Sequence, residues 1–334
     1  MRGKHNLVAH CIALLCLVCF DAASGSRGDR DPSFIRCVEE CKVTGCVGSN
    51  ACHTVCMRSE KQIPLLLRLL RWDCDADCKY HCMHITNGRR VQAWGKTHTW
   101  KYYGKWPFLR VMGMQEPASV LFSLLHLGLQ VFLATSYWKT TKSIKEQDPR
   151  CSYPYSWLWI LEAMVSLNAW VWSTVFHSRD TYATEKLDYL SAILVVYFGL
   201  YRTLVRVFEL KSVRTATTAG LAVSCLYCTH IYYLLRIHFD YGLNIVVCTT
   251  NGILQLSLLL GWAFYTNHSH RNTLLAATIL LYAATLLEIF DFPPFFQVFD
   301  AHSLWHFLSL PAPYGWYLFY QADTLSYLRH NKKE

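Results

Sequence analysis

Seven apolar segments dominate this chain of 334 residues, at approximately 117–137, 154–176, 187–206, 215–235, 241–265, 272–290 and 301–321. Each is long enough to cross the hydrocarbon core of a bilayer as a helix, which takes about 20 residues. In lipid every backbone N–H and C=O must be satisfied internally, so a segment of this kind commits the chain to helix. With 53% hydrophobic and only 16% charged residues, the chain is not an ordinary soluble domain. The formal charge of +9 is spread along loops and forms no compact patch or nucleic-acid module, so no nucleic-acid partner is expected.

The first 116 residues are of a different kind. Residues 1–24 run from Arg2 and Lys4 through an apolar core, Leu7 to Phe20, to Ala22-Ala23-Ser24. That is the pattern of a cleaved signal peptide, and the apolar core is too short to span comfortably. Residues 25–116 hold eight of the fifteen cysteines: Cys37, Cys41, Cys46, Cys52, Cys56, Cys74, Cys78 and Cys82. Spacings of C-x3-C put pairs of cysteines on one helix face, which predicts short helices stapled by disulfides in an oxidising compartment. The spacing leaves the pairing open. Zinc is the rival, helped by His53, His81 and His84, but the usual tight knuckle is C-x2-C. These histidines are read as surface residues. The stretch 83–116, rich in Lys and Trp, suits a membrane surface.

The predicted fold is therefore an all-α membrane protein, a seven-transmembrane helix bundle over 117–321. It carries an N-terminal disulfide-rich luminal domain and a cytosolic tail at 322–334. Charge supports the orientation. Twelve Lys and Arg lie in or beside the expected cytosolic loops and tail, against Arg179, Lys186 and Arg236 at the luminal loops. Basic residues concentrate on the cytosolic side of membrane proteins.

This topology brings scattered polar residues to one depth. Ser173 and His177 stand four apart at the end of the second segment, so they share a helix face. Asp188 opens the third segment. His302 and His306, again four apart, open the seventh. Three neutral imidazoles can hold Zn2+ and leave its fourth position for water, whose pKa zinc lowers to about 7. Asp188 is read either as general base for that water or as the group that orients a ligand histidine. Ser173 is read as an oxyanion or water-holding group, or as a nucleophile. Asp180, Glu185 and Asp291, on loops at the same end, are candidates for an outer layer. Glu162 and Glu288 are expected to face the bundle interior. His126 is expected to serve packing.

The order Ser-x3-His, then Asp eleven residues later, then His-x3-His in the last span resembles the superfamily of alkaline ceramidases and adiponectin-type receptors. Within it, several stretches look like one branch: Gly-Lys-Trp-Pro-Phe (104–108), Gln-Glu-Pro-Ala-Ser (115–119), Asn-Ala-Trp-Val-Trp-Ser (168–173), His-Ser-Arg-Asp (177–180) and Asp-Phe-Pro-Pro (291–294). That branch is the GPI-remodelling phospholipase A2-like family called post-GPI-attachment-to-proteins factor 3. The resemblance implies zinc on His177, His302 and His306, with Ser173 and Asp188 beside it. It also implies removal of the unsaturated sn-2 acyl chain from the lipid of GPI-anchored proteins, in the endoplasmic reticulum or Golgi membrane. A ceramidase-like amidase acting on another luminal-leaflet lipid, and a non-catalytic seven-helix receptor or assembly factor, are the alternatives.

Overall fold

A computed structural model describes residues 26–44, 64–147 and 153–331. The expected signal peptide lies outside the described residues, as do Cys46, Cys52 and Cys56. Among the described residues the fold is all-helical, with only isolated bridges such as Tyr102 with Lys105 and Val111 with Met114.

The N-terminal region is a helical hairpin. Helix α1 (Pro32–Thr44) lies against α3 (Cys74–Trp94), with the short α2 (Leu65–Leu69) between them in sequence. Asp73 caps α3 by accepting from the Ala76 N–H at 2.7 Å, satisfying one of the donors a helix start leaves open. Two disulfides, Cys37–Cys82 and Cys41–Cys78, join the facing helices. They form a ladder because each helix presents its cysteines four apart. Around them Phe34, Val38 and Tyr102 complete a small core. Cys74 is half-buried at the first position of α3. His84 is not a surface residue: it is half-buried, and its Nε2 meets the Phe108 carbonyl at 2.9 Å, tying α3 to the segment leading into the bundle.

The bundle comprises α4 (Pro117–Gln147), α5 (Ser156–Ser178), α6 (Tyr182–Val207), α7 (Val213–Tyr232, closed by a π turn at Tyr233–Ile237), α8 (Tyr241–Tyr265), α9 (Arg271–Phe290), α10 (Ala301–Ser309) and α11 (Pro311–Asn331). Five of these, α4 to α8 with the π turn counted into α7, are long and apolar enough to cross a membrane. In α9 the apolar stretch is shorter, Arg271–Leu287. Helix α4 packs on α5, α5 on α6, α6 on α7 and α8, α8 on α9, and α9 on α10 and α11; both of the last two return to α4, which closes the ring.

Two boundaries differ from expectation. The seventh segment is not one helix but two, α10 and α11, meeting at Leu310-Pro311. Pro311 and Pro313 have no N–H for the carbonyls one turn back, so the hydrogen-bond ladder is interrupted there. Helix α11 then continues to Asn331, beyond the expected boundary at 321, because Asp323 and Thr324 are buried inside the bundle. Helix α6 likewise starts at Tyr182 rather than near 187. Thr181 and Thr184 form a reciprocal cap that begins the helix early, and Asp188 consequently sits nearly two turns inside it.

Candidate metal centre

The end of α5 and the start of α10 supply the core of the site. His177 is the penultimate residue of α5 and is buried. On α10, Asp300 caps the helix by accepting from the Ser303 N–H at 2.9 Å, while the Ser303 hydroxyl accepts from the Asp300 N–H at 3.0 Å. This cap sets where the helix starts, and the four-residue spacing then turns His302 and His306 to one face.

Three imidazole edges converge. His302 Nε2 lies 3.2 Å from His177 Nε2 and 3.0 Å from His306 Nε2. The three ligand atoms all fall within 4.8 Å of one another. Metal–nitrogen bonds of about 2.0–2.1 Å in tetrahedral geometry put ligand nitrogens about 3.3 Å apart, so the spacing fits a small divalent ion.

The outer nitrogens decide which tautomer each ring adopts. His177 Nδ1 is 2.7 Å from Glu116 Oε2, and a carboxylate there requires a proton on Nδ1. The lone pair of Nε2 is thereby left for the centre, as in carboxylate–histidine–metal triads. Glu116 sits immediately before α4, and its backbone N–H also donates to the His177 carbonyl at 3.0 Å. The other Glu116 oxygen takes the Lys105 ammonium, which also reaches Asp180 Oδ2 at 3.3 Å. Burial alone would raise the Glu116 carboxyl. The Lys105 ammonium, with the hydrogen bonds from Lys105 and from the His177 N–H, overcomes it and holds the group well below the usual carboxylate range. For Lys105, burial acts downward, yet Glu116 and Asp180 carry the ammonium above its ordinary value.

On the opposite side of the cluster, Ser123 of α4 is fully buried, 3.5 Å from His306 Nδ1 and 3.0 Å from the Ser173 hydroxyl. Ser173 is thus tied to the site through Ser123. His126, one turn further along α4, stacks on Trp170 with ring centroids 3.7 Å apart, and its Nε2 meets the His306 carbonyl at 2.9 Å. It packs, as expected, and also anchors the ligand helix.

The remaining residues named from sequence fall at different distances from this centre. Asp188 is half-buried in α6, within Coulombic range of His177, His302 and Lys105. Asp180 joins the Lys105 end of the relay and accepts no direct histidine contact among the described pairs. Glu185 pairs with its neighbour Lys186 and is not brought to the histidines. Asp291 binds Lys101 and, at 2.9 Å, the Trp106 indole N–H, so it pins the 99–116 stretch rather than touching a ligand. Sequence reasoning missed Glu116, Lys105 and Ser123. The depth argument that grouped the histidines also covers the start of the first span, and it would have pointed to Glu116.

With this geometry in hand, the relatives of the chain can be placed. The model of the Per1-like family matches residues 64–324. The chain is 36% identical over 311 residues to a Bos taurus protein named "GPI-specific phospholipase A2-like PGAP3", covering 93% of each chain. It is 35% identical over 312 residues to the Homo sapiens protein of that name, again over 93% of each. To "Protein PER1 homolog" of Schizosaccharomyces pombe it is 36% identical over 311 residues, covering 90% of this chain and 88% of the other. No solved structure matches. A family model spanning most of the chain, together with near end-to-end similarity to these proteins, shows that the chain belongs to the Per1-like family.

Proposed function

We propose that this protein is a zinc-dependent acyl hydrolase that removes the unsaturated sn-2 fatty acid from the lipid of GPI-anchored proteins. The observation that carries the reading is the convergence of the ring nitrogens of His177, His302 and His306 at one end of a membrane bundle, with the half-buried carboxylate of Asp188 within electrostatic reach. Relatives named "GPI-specific phospholipase A2-like" support the substrate class.

Zinc, when bound, supplies the Lewis acidity that makes water nucleophilic near neutral pH and polarises an ester carbonyl. The protein's residues do the rest. Glu116 keeps the His177 proton on Nδ1. Ser123, with Ser173 behind it, supports His306 from its outer nitrogen. Asp188 receives the proton of the attacking water and returns it to the leaving alkoxide of the glycerol. The acyl–oxygen bond breaks, giving a free fatty acid and a lyso lipid. The excess of basic residues in the alternate loops supports placing this end of the bundle in the luminal leaflet of the endoplasmic reticulum or Golgi, where GPI lipid resides. A site at the helix ends meets an ester at the hydrocarbon boundary without extracting the lipid.

The test is reconstitution of the purified chain in vesicles with a GPI-anchored protein whose sn-2 chain is labelled. Labelled fatty acid should be released, the release should stop with a strong chelator, and Zn2+ should restore it. Release that persists through chelation overturns the metal reading, and cleavage of ceramide in place of GPI favours the amidase. In the same assay Asp188→Asn should lower turnover by about 10²–10⁴-fold, the range of a general base, at unchanged metal content. Loss of metal from that variant would reassign Asp188 to ligand support.

A further inference from the structure

Among the described residues, Lys105 is the cation that pairs with Glu116, the carboxylate on His177, and it arrives there from the N-terminal domain. It lies on a tight turn, Tyr102 to Lys105, closed by reciprocal backbone bonds of 2.8 and 3.0 Å. Tyr103 and Gly104 occupy the turn with φ of 50° and 79°. Each side of that turn is fastened to residues 26–29, the short segment that leads into the first helix of the disulfide-stapled hairpin. The Gly28 N–H donates to the Lys101 carbonyl, the Tyr103 N–H to Asp29 Oδ1 at 2.7 Å, and the Gly104 N–H to Ser26 Oγ at 2.9 Å. Tyr102 itself is buried in the core around Cys41, Cys78 and Cys82.

From this platform the Lys105 side chain reaches Glu116 and Asp180, with its ammonium 4.0 Å from the centre of the Phe176 ring. Of these, Phe176 and Asp180 flank His177 in sequence, and Glu116 meets its Nδ1 at 2.7 Å. Glu116 has two oxygens, one on Lys105 and one on His177 Nδ1. A carboxylate held at only one oxygen can rotate about its terminal torsion, which is broad and roughly two-fold. A second, charge-assisted bond removes that freedom.

We propose that Lys105 is a positioning residue of the metal centre. Its ammonium locks Glu116 in the orientation that aims His177 Nε2 inward, and the disulfide-stapled domain is the platform that delivers it. This rests on the reading of the three histidines as metal ligands. It assigns to the N-terminal domain a part in building the site, distinct from any contact with substrate.

The experiment measures zinc affinity of the purified full-length chain in detergent by competition with a chelator of known affinity. Four proteins are compared: the parent, Lys105→Met, Glu116→Gln, and the double variant. Outer partners of metal ligands typically carry about 10–100-fold in affinity, and Lys105→Met should lose that much. Because Lys105 works through Glu116, the double variant should bind no more weakly than Glu116→Gln alone. Lys105→Arg, which keeps the charge, should recover most of the affinity. Multiplicative losses in the double variant overturn the proposal, as does a Lys105→Met protein that melts earlier yet binds zinc like the parent. A parent chain that binds no zinc overturns the metal reading itself, and this proposal with it. If Lys105→Met does not fold, the other variants still decide: the proposal falls if the double variant binds more weakly than Glu116→Gln, or if Lys105→Arg binds no better than Glu116→Gln.

Discussion

Alanine in place of His302 is expected to abolish turnover while leaving the bundle folded. His302 Nε2 is the shared neighbour of the other two ligand nitrogens, at 3.2 and 3.0 Å, so its loss leaves a two-coordinate remnant. The loss should exceed the about 10²–10³-fold that a single oxyanion-stabilising donor carries, because nucleophile activation and carbonyl polarisation disappear together. His302 is only half-buried near the start of α10, and removing it creates no large cavity in the helix core. In cells lacking the native protein, mass spectrometry of GPI lipids should show unsaturated sn-2 chains retained, at normal abundance of the variant. Full rescue by His302→Ala would sink the hydrolase proposal.

The second large effect lies at the other end of the bundle and concerns stability. Asp323 on α11 is buried and accepts from Arg206 Nε and Nη2, both at 2.6 Å, and from the Tyr153 hydroxyl. Nearby, Arg202 pairs with Glu162 at 2.9 Å and meets the Tyr320 hydroxyl, while Trp159 stacks on Tyr320 at 4.0 Å. Glu162 thus faces inward, as its cost in lipid requires. Asp323→Ala strips Arg206 of its bidentate partner and leaves a guanidinium buried among helices. Breaking a buried pair in this way costs about 3–5 kcal/mol, because the orphaned charge is worse than the lost attraction. The variant should melt well below the parent in detergent, and Asp323→Asn, which keeps an acceptor for one donor, should fall between. An unchanged melting midpoint for Asp323→Ala would show that the network contributes nothing net. Neither variant touches His177, His302 or His306, so the zinc affinity of the folded fraction should stay at the parent value.

These two sites differ in how far they could be read from sequence. His177, His302 and His306 were legible because helical spacing and alternating span direction together fix depth: residues at corresponding helix ends must share a bilayer face. Glu162 was legible as an inward residue because a lipid-facing carboxylate is too costly, but nothing in the sequence picks out Arg202 as its partner. The Arg206–Asp323 pair was not legible at all, since Asp323 lay in what reads as a tail. Glu116 stood in plain view before Pro117, yet its role depends on a neighbour 61 residues away. The disulfide class followed from cysteine spacing, whereas the Cys37–Cys82 and Cys41–Cys78 pairing depended on how α1 meets α3.

The sequence by itself determined the material of each part: apolar helices long enough to cross a membrane, a cysteine-stapled segment before them, and three histidines at one depth. Those properties follow from hydrophobicity, periodicity and side-chain chemistry, which are local. Tertiary structure alone decided which side chains share a hydrogen bond at that depth. It set Lys105 on Glu116, Glu116 on His177, and Ser123 between Ser173 and His306. Depth is one coordinate, set by position along each helix. Contact also requires the rotation of each helix and its place in the ring, and those are outcomes of packing the whole chain at once.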